Sequence, residues 1–156
     1  MEIPEHLLSL LVVATEEVFE TMVFKPLTAG APIDGHDARP KSQVVATVAF
    51  AGHRRGLVSF HSSLATANDI AGAMLGVSAE SVNGEMPDAM GEIANMIAGS
   101  FRTKLAAVEP ASAIAVPTVT IGSDFCTRYG AHVKRVLCPF EMGDQPVCVE
   151  LILTGD

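Results

Sequence analysis

The clearest pattern of hydrophobic and polar positions lies near the middle of the chain, between Pro87 and Glu109. Apolar side chains recur there every three or four residues, which is the period of an α-helix. With about 100° of rotation per residue, these positions share one side of a helix and predict a buried face. They are Met90, Ile93, Ala94, Ile97, Phe101, Leu105 and Val108.

The opposite side of the same helix carries a stripe of Asp88, Glu92, Asn95 and Gly99. Asn and Gly in a helix interior are less favourable than Ala by roughly 0.5 and 1 kcal/mol, and like charges four residues apart repel weakly. No Lys or Arg stands three or four residues from Glu92, so its carboxylate is free for a cation from elsewhere. We interpret the stripe as a docking face. The alternative is that solvated residues share a face by chance, with Asp88 favouring the helix dipole after Pro87.

The pattern elsewhere predicts a helix over residues 4–23 and another over 63–75, the latter capped by Ser62 or Ser63 and stopped by Gly76. Strands are expected at residues 43–51, 55–61, 112–121, 131–142 and 147–154, with Pro117 marking an edge or a bulge. The Pro- and Gly-rich segment 25–42 is expected to be a long loop that is mobile or covers something. The inward face of the first helix is predicted to carry Leu7, Leu8, Leu11, Thr15, Val18, Phe19 and Met22.

Hairpins joined by helices indicate an α+β fold, in which helices pack on an antiparallel β-sheet. The chain has 156 residues, of which 49% are hydrophobic, so we expect one domain spanning residues 1–156. The net charge of -8 argues against a nucleic-acid partner. The apolar stretch of residues 7–14 is too short to span a bilayer and no signal peptide is apparent, which predicts no membrane partner and a cytoplasmic location.

Cysteine and histidine do not occur at metal-ligand spacing. The three cysteines, Cys126, Cys138 and Cys148, include no Cys-x-x-Cys pair, and the five histidines are scattered. The sequence therefore predicts no bound metal of its own, and the cysteines are expected to be small core residues or free thiols.

Three segments taken together resemble the CheC/CheX/FliY family of bacterial chemotaxis phosphatases, most closely its single-site CheX-like domains. The first is the Glu92-x-x-Asn95 pair, with Asp88 before it, Gly99 after it and Pro117 downstream. The others are residues 17–22 of the first helix and the hairpin-plus-helix segment of residues 52–76. Residues 17–22 also align weakly with residues 92–97, which favours two degenerate, pseudo-symmetric halves. Glu20 stands where a second active motif would carry Asn, so one site per chain is expected.

The resemblance implies a phosphatase that hydrolyses the aspartyl phosphate on the receiver domain of a CheY-type response regulator. Glu92 would pair with the receiver's active-site lysine, and Asn95 would position the attacking water. Gly99 would leave room for the partner's backbone, and Asp88 would tune the local charge or cap the helix. Met96 is either an adaptable contact at the partner surface or a tolerated exposed residue.

The resemblance also implies that the protein needs no cofactor of its own, because the phosphorylated receiver brings the magnesium ion. Single-site members form homodimers through their sheets, so a homodimer is expected as well.

Three other hypotheses remain. The chain could be an adaptor of the same fold that docks on a receiver or flagellar-switch protein without catalysis, although the presence of both Glu92 and Asn95 favours catalysis. It could be an enzyme acting on a small phosphoester, but the sequence offers no recognisable Cys/His, Ser/His/Asp or carboxylate cluster. It could finally be a structural domain whose stripe has no function.

Overall fold

The computed structural model describes residues 3–130 and 132–155. Its helices are α1 (Glu5–Val18), continued by a π-helical turn at Phe19–Val23, α2 (Leu64–Leu75) and α3 (Met86–Leu105), with a short 3-10 turn at Ala79–Ser81. Its strands are β1 (Thr28–Ala29), β2 (Ile33–Asp34), β3 (Ser42–Ala51), β4 (Arg55–Ser62), β5 (Ala113–Ile114), β6 (Thr118–Phe125), β7 (Lys134–Met142) and β8 (Gln145–Thr154).

The strands form one eight-stranded sheet in the order β1-β7-β8-β4-β3-β5, with β2 beside β7 and β6 beside β3. Every pairing is antiparallel. The predicted α+β fold, with helices packed on an antiparallel sheet, is therefore confirmed. The interpretation as two degenerate halves stays a prediction.

One face of the sheet forms the main core with the helices. Alternate residues of β3, β4 and β8 point toward the helices, as the period of two in a strand requires. They meet the predicted inner face of α3, whose large apolar side chains are almost fully buried, as are Leu7, Leu11 and Phe19 of the first helical segment. No helix among the described residues covers the other face, where Val45, Leu137 and Ile152 are buried but lie outside the main core cluster.

Two residues that were expected in the core are exposed. Val108 is 67% exposed, because α3 ends at Leu105 and the amide N–H groups of Val108 and Glu109 both donate to the carbonyl of Leu105. Met22 is also exposed, because the π-helical turn changes the rotation per residue, so that Val23 is buried in its place.

The turns and caps agree closely with the sequence. The amide N–H of Thr66 donates to Ser63 Oγ at 3.1 Å, and Gly76 ends α2 in the left-handed conformation. β5 and β6 pair with β3 on either side of Pro117, and the pairing is interrupted at Pro117 itself. These segments lie at the end of the sheet, so the predicted edge is confirmed. The predicted strand start at Ala131 lies outside the described residues.

The segment 25–42 is not wholly a loop. It contributes β1 and β2, two short strands that pair with β7 at one edge of the sheet. Residues 38–41 then share the lining of a cavity with His61, Leu137 and Cys148, all on the helix-free face. The segment therefore covers part of that face.

Candidate functional site

The outer surface of α3 carries all four residues of the predicted stripe. Asp88 and Glu92 are exposed, and Asn95 and Gly99 are partly exposed. Their spacing of four, three and four residues places them on successive turns of one helix face. The structure thus presents a carboxylate and an amide side by side, with an open glycine one turn farther along.

The first turn of α3 and its buried inner face together position this surface. Pro87 lies in the first turn, where a missing N–H is tolerated, and Asp88 complements the positive end of the helix dipole there. Met90 is fully buried on the inner side, whereas Met96 is partly buried beside the stripe. Each fully buried apolar side chain contributes roughly 1.5–3 kcal/mol, so the inner face fixes which side of the helix faces outward.

Gly91 brings a distant part of the chain to the edge of the stripe. A Cβ atom placed on Gly91 would lie 3.6 Å from Pro117 Cγ and 3.4 Å from Val119 Cγ2. Gly91 precedes Glu92 directly, so the connection between β5 and β6 packs beside the turn that carries the carboxylate. The position of Pro117 next to the site could not be read from its distance along the sequence.

The charge of Glu92 has no partner within the described part of the chain. Two other carboxylates near α3 are paired: Lys104 Nζ lies 2.8 Å from Glu17 Oε2, and Arg54 Nη2 lies 2.6 Å from Glu109 Oε1. No ion pair among residues 3–130 and 132–155 involves Glu92. The carboxylate is therefore available to a cation from another molecule.

Gly99 is not required by the packing of its own fold. Apart from its chain neighbours and the nearby backbone of its own helix, a Cβ atom at this position would meet no atom of the described residues within 4 Å. Alanine would be the more stable residue in such a helix interior by roughly 1 kcal/mol. The glycine leaves the helix backbone open on the same surface as Glu92 and Asn95.

A second polar cluster lies on the helix-free face of the sheet, and the sequence analysis missed it. Glu150 Oε1 lies 3.1 Å from His61 Nε2, whose Nδ1 lies 2.9 Å from Ser42 Oγ, and Glu150 Oε2 accepts a hydrogen bond from Arg135 Nε. The sequence offered no recognisable cluster of serine, histidine and acid, because these residues meet only through strand pairing. The available signal was a glutamate within an apolar strand, because a buried charge needs partners from neighbouring strands.

The cluster stabilises a buried ion pair. Burial raises the pKa of Glu150, but the hydrogen bonds from His61 and Arg135 outweigh it and hold that pKa below its ordinary value. An ionised Glu150 only accepts hydrogen bonds, so His61 Nε2 donates to it. Ser42 and His61 are each 4% exposed and Glu150 is 0% exposed, so the cluster does not offer a nucleophile to solvent.

The cysteines do not supply a reactive thiolate on the sheet. Burial raises the pKa of Cys138 to about 11, and burial together with the carboxylate of Glu150 raises the pKa of Cys148. All three cysteines are free, with Cys126 exposed. Within the described ranges, no three His, Cys, Asp or Glu side chains are grouped as a metal site would need. None of the helices described is both long and apolar enough to cross a membrane.

Comparisons with known structures identify the same architecture. CheX from Desulfovibrio desulfuricans is 27% identical, with a TM-score of 0.87 over 95% of this chain and 99% of that chain. A CheC-like superfamily protein from Shewanella sp. PV-4 is 21% identical, with a TM-score of 0.87 over 98% of this chain and 100% of that one. The CheX–CheY–BeF3–Mg2+ complex from Borrelia burgdorferi contains a chain that is 21% identical, with a TM-score of 0.79 over 95% of this chain and 97% of that one.

Curated protein sequences give no match. The profile of the family described as "Chemotaxis phosphatase CheX" matches residues 44–141, which include most of β3, all of β4, α2 and α3, and most of β7. The matched region contains every residue of the stripe and Pro117. This chain belongs to the chemotaxis phosphatase CheX family.

Proposed function

We propose that this protein removes the phosphoryl group from the aspartyl phosphate of a CheY-type receiver domain. The observation that carries the proposal is the carboxylate of Glu92, which has no ion-pair partner among the described residues, beside the amide of Asn95 on the outer face of α3. The two residues are three apart, so their Cα atoms are separated by about 4.5 Å along the helix axis. Both side chains can therefore enter one partner site together.

Glu92 serves as the partner of the receiver's active-site lysine. A charge-assisted hydrogen bond between carboxylate and ammonium is about twice as strong as a neutral one, and it fixes the orientation of the two proteins. Nothing within the described part of this chain competes for the carboxylate. Asp88, one turn earlier, adds negative charge to the same approach surface.

Asn95 serves as the water-positioning group. Its amide oxygen accepts a hydrogen bond from the water, while its NH₂ group donates to a phosphoryl oxygen. The water oxygen forms a bond to phosphorus, the bond from phosphorus to the aspartyl oxygen breaks, and phosphate and the aspartate carboxylate are released. Phosphoryl transfer depends mainly on positioning and charge neutralisation, and the magnesium ion on the receiver supplies part of that neutralisation.

The comparisons support both the partner and the reaction class. The family is one of chemotaxis phosphatases, and the Borrelia burgdorferi neighbour is a complex of CheX with CheY, BeF3 and Mg2+. The competing function is an adaptor that binds a receiver without hydrolysing its phosphate. Asn95 favours the phosphatase, because binding alone does not need an amide at the attack position.

The test is the decay of a phosphorylated CheY-type receiver, measured with wild type, Asn95→Ala, Glu92→Ala and Glu80→Ala. Glu80 is an exposed glutamate in the connection between α2 and α3, so its variant controls for loss of one surface charge. Wild type and Glu80→Ala should speed the decay, Asn95→Ala should bind without speeding it, and Glu92→Ala should bind more weakly. Binding by wild type with unassisted decay would support the adaptor, and absence of binding would contradict both functions.

We also propose that the protein acts as a homodimer with one site per chain. β6 pairs with β3 on one side, and no described strand pairs with its other side. Its residues are mostly exposed, so this edge can accept a strand from a second copy. The cytoplasmic location remains a prediction.

A further inference from the structure

The helix-free face of the sheet contains a cavity that neither the stripe nor the buried ion pair explains. Its volume is about 480 Å³, within the range of roughly 300–1,000 Å³ that is typical of small-molecule sites. Residues 38–41 form one wall, and strands β3, β4, β7 and β8 supply most of the rest. The cavity lies across the sheet from α3, so its occupant need not be the partner of the stripe.

Much of the lining is apolar. Ile33 of β2 is paired with Leu137 of β7, and both residues line the cavity together with Pro139 and Pro146. Ile33 is 40% exposed, so apolar surface remains open to solvent there. An occupant that covers this wall releases water from apolar surface, which favours binding. The cavity therefore suits a molecule with an apolar body.

Two basic residues line the same cavity. Arg39 and Lys41 are both exposed, and neither forms an ion pair within residues 3–130 and 132–155. Asp124 is the only acidic residue in the described part of the lining, so the positive charges outnumber it. This local excess contrasts with the net charge of -8 of the whole chain. Cations beside an apolar wall attract an anion and form charge-assisted hydrogen bonds with it.

Gln43 adds a fixed hydrogen-bond donor. Its side-chain Oε1 accepts a hydrogen bond from the amide N–H of Leu64 at 2.8 Å, which orients the amide group at the cavity wall. The NH₂ group of the same side chain forms no hydrogen bond with any described residue, so its donors remain for an occupant. Ser42 and His61 also line the cavity, but their hydrogen bonds are made within the buried cluster. The donors of this cavity thus come from residues 39–43, within one short segment.

We propose that this cavity binds a small amphipathic anion, an organic carboxylate or phosphate with an apolar body. Arg39 and Lys41 hold the anionic group, and Gln43 donates hydrogen bonds to it. The apolar body covers Ile33 and Leu137. This site is independent of the proposed function, because it lies on the face opposite the stripe and needs no receiver.

The experiment measures binding of anilinonaphthalene sulfonate, an amphipathic anion whose fluorescence rises in an apolar site, and its displacement by three molecules with the same apolar chain. Octanoate carries a carboxylate, octyl phosphate carries a phosphate, and octanol is neutral. Wild type is compared with a double variant, Arg39→Gln with Lys41→Gln. The matched control is Lys25→Gln with Arg102→Gln, which loses the same charge from residues outside the cavity lining. Circular dichroism checks the fold of each protein.

The two anions should displace the probe at concentrations at least about tenfold lower than octanol, because only they use the basic residues. In the double variant of Arg39 and Lys41, the dissociation constants of the probe and of both anions should rise about tenfold or more, against less than about twofold in the control. The anion that displaces the probe at the lower concentration identifies the head group.

A second variant, Ala38→Phe, tests the location of the site. Ala38 lines the cavity and is partly buried, so a phenylalanine ring there takes up space that the occupant needs. Probe binding should weaken about tenfold, whereas Ala107→Phe, at an exposed position beyond the end of α3, should leave it unchanged.

Absence of saturable probe binding by wild type would overturn the proposal, and that outcome includes a cavity already filled by a second copy of the chain. Equal displacement by octanol and the two anions would overturn the anionic class. Equal dissociation constants in the two double variants would show that Arg39 and Lys41 do not hold the ligand. None of these measurements uses a receiver, so the proposed function stands or fails separately.

Discussion

At the scale of single residues, the stripe contains residues that do not stabilise the helix that carries them. Asn95 provides a donor and an acceptor in one planar group, and Glu92 provides a charge that pairs with no residue in the described part of the chain. Gly99 provides empty space above the helix backbone. None of these features is needed to stabilise the fold, and each is of a kind that can contact another protein.

Gly99→Ala separates the requirements of folding from those of binding. The added methyl group meets no other part of the described fold, so the free energy of unfolding should rise by about 0.5–1 kcal/mol in urea denaturation. If the receiver backbone approaches closely there, the same methyl group should weaken binding by about 1–3 kcal/mol, as overpacking does. Ser100→Ala, about 100° around the helix, should leave the dissociation constant unchanged. Tighter or unchanged receiver binding by Gly99→Ala would contradict the assigned role.

Asn95→Asp tests the polarity of the amide at almost constant shape. The substitution removes the NH₂ donor and places a negative charge next to a phosphoryl group, so repulsion replaces a hydrogen bond. We expect loss of phosphatase activity by at least about a hundredfold, comparable to the loss of one preorganised donor in other enzymes. The readout is receiver dephosphorylation in single-turnover conditions. Activity near the wild-type rate would show that the amide does not contact the phosphoryl group.

At the scale of elements, the sheet has two chemically different faces. The face toward the helices is apolar and positions α3. The opposite face carries the polar cluster of Ser42, His61, Glu150 and Arg135, which crosses β3, β4, β8 and β7. The two faces allow the stability of the sheet to be tested without touching the stripe.

Arg135→Met should destabilise the fold by about 3–5 kcal/mol at pH 7, because it leaves the buried charge of Glu150 without its guanidinium partner. The folded-state pKa of Glu150 is lowered, so its contribution is fully present above the unfolded-state pKa, near about 4.3, and is lost as pH falls through the folded-state pKa. In the variant, burial favours the protonated acid. The difference between variant and wild type should therefore shrink between pH 7 and pH 4.

Urea denaturation at both pH values measures this effect, with Arg128→Met as the control because Arg128 is exposed. The dephosphorylation rate per folded molecule should be unchanged, since Arg135 lies on the face opposite α3. An equal loss of stability at both pH values would show that the charge of Glu150 is not the cause.

At the scale of the whole molecule, the two ends of the sheet differ. β7 is covered at its outer side by β1 and β2, whereas the outer side of β6 has no strand among the described residues. Ile121 lies on β6 and is exposed. An unpaired edge with an exposed isoleucine invites another strand, and a lysine at such an edge discourages pairing.

The dimer proposal predicts that the protein elutes at twice its chain mass in size-exclusion chromatography with light scattering. Ile121→Lys should shift the population toward the monomer at micromolar concentration. Val13→Lys is the control, because Val13 is an exposed valine on α1, away from the sheet edge. A monomeric wild type, or a dimer that tolerates Ile121→Lys, would count against pairing through β6.

The parts of this structure that the sequence predicted are local. They depend on residues within a few positions of one another. These parts are the two faces of α3, the caps of α2 at Ser63 and Gly76, and the β3–β4 hairpin. Helix periodicity, capping and turn chemistry act over that range, so the pattern was sufficient. The candidate site was predictable for the same reason, since its stripe lies on one helix.

Only the tertiary structure decided what the sheet brings together. His61 and Glu150 are 89 residues apart and meet because β4 pairs with β8. Pro117 reaches α3 at Gly91 because β5 and β6 both pair with β3, beneath α3. The exposed position of Val108 follows from where the helix ends against the rest of the fold. Local periodicity places a side chain on a face, but strand order and register place one face against another, and these depend on contacts that are distant in sequence.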